Sequence, residues 1–294
     1  MNRVIPIGSF VLSCLFGSCL DSTSDDGLDV QAPAIGAPST ATTVAPGQFA
    51  ELSADADRIP LAFAVSDDRG LSEIVVESHN GFDGHRHKTA RAFALLSYRH
   101  TLTREDLTDP LYFESPANDE LAIYLDDRNP AIPTDALVLA GPYHFSIRAA
   151  DVSGNETTYA DNSTYHTTLY LQRHYAPQVR VDAFDRAGGT VSGELWRNEQ
   201  HEASADIVFV WAYITRPNPN HPAYEGDVQA EWLWGESNWP HQFRADRGEP
   251  LPGGTRIDLA KLLGDREAIR QMEPSDRLHL WVEDENGNIT VRTY

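Results

Sequence analysis

Three histidines and an aspartate stand within eleven residues in Glu77-Ser-His-Asn-Gly-Phe-Asp-Gly-His-Arg-His87, at what reads as the end of a β-strand. Imidazole nitrogens bind zinc, copper and nickel well, and a carboxylate oxygen can complete such a set. Strand parity adds His144. In residues 143–149, Tyr143, Phe145 and Ile147 alternate with His144, Ser146 and Arg148, so the two sets face opposite sides. In residues 71–79, Ile74 and Val76 read as inward and Glu73, Glu77 and His79 as outward, with Val75 as the exception. His85 and His87 are two apart and share a face in extended chain, and the turn at 80–84 can fold them back toward His79. If the two strands are neighbours, His79, His85, His87 and His144 converge on one wet patch, with Asp83 beside them as an oxygen donor. This predicts a site for a transition metal, zinc or copper. A β-bulge in either strand would undo the parity. The bland alternative is a set of solvated histidines on a polar turn.

The elements that must position these residues read as short strands. Residues 59–65 alternate well enough for a strand, and 66–70 form a turn closed by Gly70. Residues 71–79, 91–98 and 143–149 follow as strands. The turn Asp151-Val-Ser-Gly-Asn155 then leads to a strand at 157–159. Residues 101–142 carry several prolines and Asp126-Asp127, and read as a long, partly ordered connection. Short strands, Gly/Asn/Asp turns and no sustained 3.6-residue period predict an all-β fold of antiparallel sandwiches.

A second such unit begins near Tyr175-Ala-Pro-Gln-Val-Arg-Val181. Its closing turn, Asp284-Glu-Asn-Gly-Asn288, repeats the form of Asp151–Asn155 after 133 residues, which supports two Ig-like sandwiches in tandem. Asp-x-x-Gly-Asn is also good hairpin chemistry in its own right. Asp284 and Glu285 read as solvated acids rather than calcium ligands. Leu259, Leu262, Leu263 and Ile269 have the spacing of short helical turns. All six tryptophans lie in this unit. Trp211 and Trp281 fall in alternating strands and read as core. The stretch 231–243 is aromatic, polar and turn-rich at once. Packing in the core is its plainer explanation, and Trp239 is its candidate contact for a glycan or a protein partner.

The start of the chain has a different character. Arg3 precedes an apolar run from Val4 to Gly17, which is too short to span a membrane and suits a signal peptide. Phe16-Gly-Ser-Cys19 resembles a bacterial lipobox, which makes Cys19 the expected lipidation site, with Val11-Leu-Ser-Cys14 as the second candidate and an ordinary cleaved signal as the plainer alternative. The domain reading is a signal peptide at 1–18, a flexible acidic and Pro/Ser/Thr-rich tether at 19–47, a His-motif sandwich at 48–172 and a Trp-rich sandwich at 173–294. The acidic 21–26 stretch resembles the patch with which Bacteroidetes-type lipoproteins reach the outer cell surface. Cys14 and Cys19 are the only cysteines, so no disulfide holds the folded part, and a metal site there must use His, Asp or Glu. Of the 294 residues, 41% are hydrophobic and 10% aromatic, enough for packed cores. The formal charge of -21 argues against nucleic-acid binding, which needs basic patches.

His79-Asn-Gly-Phe-Asp-Gly-His-Arg-His87, Gly141-Pro-Tyr-His-Phe145 and Asp151–Asn155, in that order, resemble a Bacteroidetes-type His-rich Ig-like lipoprotein family, the domain of unknown function 4625. The resemblance covers residues 58–160. It implies an Ig-like fold, a surface or periplasmic location and metal binding. The family's first strand carries a further His, whereas residues 58–62 here have none.

No nucleophile elbow, phosphate loop, HExxH helix or dinucleotide fingerprint is present. The chain therefore reads as a binding protein and not an enzyme. A metal-assisted hydrolase would have only Asp83 or Glu77 as a nearby base. The leading expectation is an outer-membrane lipoprotein, on the cell surface or the periplasmic face, that binds zinc or copper through its histidine cluster. The alternative is an adhesion or glycan- and protein-binding lipoprotein that uses its aromatic second domain.

Overall fold

The computed structural model describes residues 28–82, 93–115, 121–220 and 225–294. Ten strands precede residue 172: β1 (Ala34–Gly36), β2 (Ala50–Leu52), β3 (Arg58–Ile59), β4 (Ala64–Ser66), β5 (Leu71–Asn80), β6 (Tyr98–Thr103), β7 (Tyr112–Glu114), β8 (Ile123–Tyr124), β9 (Gly141–Asp151) and β10 (Tyr165–Leu171). They form sheets in the orders β2-β10-β9-β5-β6, β1-β4-β7 and β3-β8. The remaining strands are β11 (Gln178–Asp185), β12 (Thr190–Trp196), β13 (Ile207–Arg216), β14 (Asp227–Gly235), β15 (Arg256–Asp258), β16 (Arg277–Asp284) and β17 (Ile289–Thr293). They form β11-β12-β15 and β14-β13-β16-β17, with short helices α1 (Leu259–Leu263) and α2 (Glu267–Arg270) between β15 and β16. Among the described residues no sheet mixes strands from the two halves. Among the described strands pairing is antiparallel, except where β2 runs parallel to β10. The fold is thus all-β, two Ig-like sandwiches in tandem.

The inward residues of the first sheet, Ile74, Val76, Phe145 and Ile147, are fully buried. Each such side chain contributes about 1.5–3 kcal/mol on burial. The Asp67 carboxylate holds the β4–β5 turn by accepting from the N–H groups of Arg69 and Gly70, 2.9 and 2.6 Å away.

Several expected elements lie elsewhere. The tether read over 19–47 is not wholly free: β1 adds itself to β4, and Pro33, Pro38 and Pro46 are buried. Backbone pairing and proline packing hold this stretch, and neither leaves an apolar period to read. The strand expected at 91–98 starts only at Tyr98. The one expected at 157–159 is a single bridge at Glu156, and the strand proper is β10. The connection over 101–142 carries β7, β8 and the core residues Leu121, Ile123, Ile132 and Leu139.

The two sandwiches are not independent beads. Phe209, Trp211, Tyr213, Trp239, Trp281, Ile289 and Val291 join the core of the first sandwich, while Val210, Ala212, Ile214, Leu278, Leu280 and Val282 form the core of the second. Strand β13 therefore packs on both faces, which is why residues 207–214 read as a nearly continuous apolar run.

Candidate functional site

The histidine geometry begins with β5 and β9, which are neighbours with His79 directly opposite His144. Their rings stack with centroids 5.5 Å apart and planes 25° from parallel. The one bulge between these strands falls at Leu71/Glu73, so the parity holds at the histidines. Beside them Glu77 accepts from Arg99 at 3.0 Å and from the Ser146 hydroxyl at 3.2 Å. Gly81 leaves room for the His144 ring, since a Cβ there would lie 2.8 Å from its Cδ2. Asp83, His85 and His87 lie outside the described residues. Two imidazoles on adjacent strands can supply two ligands to zinc or copper, and among the described residues no third donor joins them. Among the described residues the one group of three such donors is Asp29, Asp67 and Asp151, whose oxygens lie within 4.8 Å of one another.

The second sheet turns an aromatic face toward the first sandwich. Residues 211, 213 and 215 share that face of β13 and stand opposite Trp281, His279 and Arg277 of β16. Trp211 stacks on Tyr213 at 3.8 Å, and Tyr213 on His279 at 4.6 Å. Rings stacked along a strand spend their faces on one another and turn their edges outward. Those edges are held in place: Trp211 Nε1 donates to Glu231 at 2.9 Å, and the Tyr213 hydroxyl to Glu225 at 2.8 Å. Burial lowers His279 to about 4, so it is neutral between the hydroxyls of Thr215 and Thr293. Glu225 is half-buried in the cleft wall, and its desolvation raises it to about 8, which favours the protonated carboxyl at neutral pH.

The 236–247 loop is anchored by Glu283, which is fully buried. Its carboxylate accepts from Ser237 Oγ, Asn238 N, Trp281 Nε1 and Arg244 Nη2 at 2.7, 2.9, 2.9 and 3.1 Å. Desolvation raises Glu283 and lowers Arg244, and their attraction opposes both shifts. Every group facing Glu283 in these bonds is a donor, so it sits as a carboxylate. Arg244 also lies over Phe209, Trp211 and Trp281. Trp239, the expected ligand contact, is 5% exposed. Its Nε1 donates to Gly287 O at 2.9 Å and its ring meets Phe82 edge-on, so it packs the joint between the sandwiches and does not face a ligand. Its loop neighbours His241 and Phe243 are the ones that line a cleft.

That cleft, of about 580 Å³, opens between the two sandwiches. One wall is the outer face of the first sheet, with His144, His166, Thr168 and Tyr170. The other wall carries Trp211, Tyr213, Trp281, Glu225 and Asp227, with His241 and Phe243 at the loop. Phe243 is 72% exposed, and Tyr170 is 3% exposed with a buried hydroxyl that has no hydrogen-bond partner. Of the histidine cluster, the structure thus brings His144 to the cleft. Sequence reasoning missed Tyr170, Tyr213 and Glu225, while His241 and Phe243 lie in the 231–243 stretch it singled out around Trp239. The readable signal was β13, whose aromatic and aliphatic sides both demand a covering layer.

The described molecule is therefore a pair of Ig-like sandwiches with a polar and aromatic cleft at their joint. Residues 18–164 match the family described as domain of unknown function (DUF4625), and the chain belongs to that family. No curated protein matches it. Among solved structures it is similar to a tetra-tandem repeat from the extending region of a large adhesion protein, with 13% identity and a TM-score of 0.29, covering 90% of this chain and 48% of that one. It is also similar to SGBP-B of the Bacteroides ovatus mixed-linkage glucan utilization locus, solved with a mixed-linkage heptasaccharide, with 16% identity, a TM-score of 0.25 and coverage of 90% and 47%. Fibronectin(III)-like modules of Clostridium thermocellum CbhA match at 13% identity and a TM-score of 0.20, covering 85% of this chain and 88% of theirs. The chain spans about half the length of the first two, at 48% and 47%. Likeness at this level does not extend to function. No helix among the described residues is long and apolar enough to cross a membrane.

Proposed function

We propose that the chain is a binding protein of the cell envelope that holds a carbohydrate in the cleft between its sandwiches. The observation that supports this is the cleft itself, a concave site at a domain joint with aromatic walls, a few polar groups and the exposed ring of Phe243. An exposed ring on an anchored loop offers the flat apolar surface on which a sugar ring stacks, and imidazoles, hydroxyls and carboxyls around it can engage sugar hydroxyls. Isothermal titration of the whole chain against a panel of oligosaccharides tests the reading. Phe243→Ala is expected to weaken the best binder about tenfold with an unchanged Tm, because the ring is solvated. A wild-type chain that binds no oligosaccharide would sink the proposal. The lipobox reading places the protein on the outer membrane through acylated Cys19, and loss of radiolabelled palmitate from Cys19→Ser checks it.

A second reading rests on the stacked His79 and His144. In it the first sandwich binds zinc or copper, with His85, His87 and Asp83 completing the set. Elemental analysis of the purified chain beside His79→Ala/His144→Ala and His85→Ala/His87→Ala variants decides it. Near-stoichiometric metal that both variants lose supports the site, and no metal after incubation with either ion removes it.

A further inference from the structure

The cleft also carries information about what it would accept. On the reading that it is the binding site, we infer that its ligand is an uncharged sugar chain, selected by Tyr170 from the first sandwich and Glu225 from the second.

Tyr170 is the first reason. Its hydroxyl is buried and has no partner among the described residues, in a residue that lines the cleft. A buried hydroxyl without a partner costs about 1–3 kcal/mol, a cost that a ligand hydroxyl removes on binding. The opposite wall adds Glu225. Its carboxyl takes the Tyr213 hydroxyl and, held protonated by burial, has an O–H of its own to donate. A sugar hydroxyl or ring oxygen accepts such a bond. Charge is the third reason. In the described lining the acidic side chains are Asp227 and the protonated Glu225, the bases are His144, His166 and His241, and no Lys or Arg is among them. Arg244 lies behind the Trp211 and Trp281 rings, is wholly buried and is committed to Glu283. A carboxylate or sulfate on the ligand would be desolvated here with no Lys or Arg among the described lining residues to meet it. The formal charge of -21 opposes its approach as well.

The test titrates the whole chain with neutral gluco-, xylo- and manno-hexasaccharides and with galacturonate hexamers, by calorimetry and by the fluorescence of the cleft tryptophans. A neutral hexasaccharide is expected to bind at least tenfold more tightly than the acidic one. Tyr170→Phe is expected to weaken that binding about 3- to 10-fold while leaving Tm unchanged or higher, because the hydroxyl it removes has no partner in the free protein. Glu225→Gln, which keeps a donor and the neutral charge, is expected to bind within about twofold of wild type, and Glu225→Ala to lose most binding. Galacturonate binding as tightly as the neutral sugars would overturn the selection and leave the carbohydrate reading standing. A Tyr170→Phe variant with wild-type affinity would overturn the role of Tyr170. Binding of neither class would remove the carbohydrate reading itself, and the inference with it.

Discussion

The turns Asp151–Asn155 and Asp284–Asn288 share one local structure in two surroundings. In both, the first aspartate N–H donates to the last asparagine carbonyl at 3.0 Å, and a glycine stands at positive φ, 90° in Gly154 and 87° in Gly287. In both, the aspartate carboxylate accepts from the backbone and side-chain N–H groups of the asparagine. The first turn lies at the surface, with Val152, Ser153 and Gly154 exposed. The second is driven into the joint between the sandwiches. Asn288 Oδ1 accepts from Ala140 N at 3.1 Å, Ile289 N donates to Ala140 O at 2.9 Å, and Gly287 O accepts from Trp239. Asp284, expected to be solvated, is fully buried. For Asp151, desolvation pushes the carboxyl up and the donors of Asn155 and Ser153 outweigh it, leaving it lowered. For Asp284, burial outweighs the same kind of donors and raises it to about 7. The same five-residue pattern therefore makes a turn in either place; Asp151 is itself only 2% exposed, so it is how deeply protein encloses the carboxyl, and not its contact with solvent, that reverses the sign of its shift.

The largest expected separation between the turns is in pH dependence. Asp284 has a folded pKa above its unfolded value, so its ionisation destabilises the fold progressively as pH rises from about 4 to about 7. Asp151 has a depressed folded pKa, so its contribution is present above the usual value of 3.8 and is lost as pH falls below it. The difference in Tm between wild type and Asp284→Asn should thus grow in the variant's favour up to about pH 7, while Asp151→Asn should lose its disadvantage in acid. His279, lowered to about 4, opposes the Asp284 trend between about 6.5 and 4, so each variant must be compared with wild type at each pH. Parallel Tm profiles for the two variants would break the comparison.

Next in size are the asparagines. Asn288→Ala removes the partner of the Ala140 N–H and is expected to cost about 2–3 kcal/mol in urea unfolding, whereas Asn155→Ala, at the surface, should cost about 1 kcal/mol. Equal losses would mean that the joint contributes nothing. The glycines sharpen the contrast most finely. Alanine at either position bears the strain of positive φ, about 1–2 kcal/mol. A Cβ on Gly154 meets nothing within 4 Å, but one on Gly287 lies 3.1 Å from the Trp239 ring. Gly287→Ala should therefore cost about 1 kcal/mol more than Gly154→Ala, with a shift in tryptophan emission that Gly154→Ala does not share.

Much of the local architecture was legible. Alternation placed Tyr143, Phe145 and Ile147 inside and His144 and His79 outside, because side-chain parity is a property of the backbone alone; that the two strands are neighbours with His79 opposite His144 came from the structure. Turn chemistry located both Asp-x-x-Gly-Asn hairpins, and leucine spacing located α1. Elements held by backbone pairing or by partners far along the chain were not legible. Strand β1 docks on β4 with only three residues, too few for a period, and β10 interrupts its pattern with the adjacent Thr167 and Thr168. Trp239 looked like a loop aromatic and is a buried wedge, since only the packing of one sandwich on the other decides whether a turn-rich tryptophan faces water.

By itself the sequence determined that the chain is all-β, that it is acidic, and on which faces of β5 and β9 the histidines and the core residues stand. These follow from periods of two residues and from turn residues that act over four or five. Only the tertiary structure decided that Tyr170 and Glu225 share a cleft, that Asp284 is buried and that His144 stands at the rim of the second domain's aromatic face. The physical reason is distance along the chain: those contacts join residues separated by many strands, and burial, which sets their charge states, belongs to the packed whole and not to any segment.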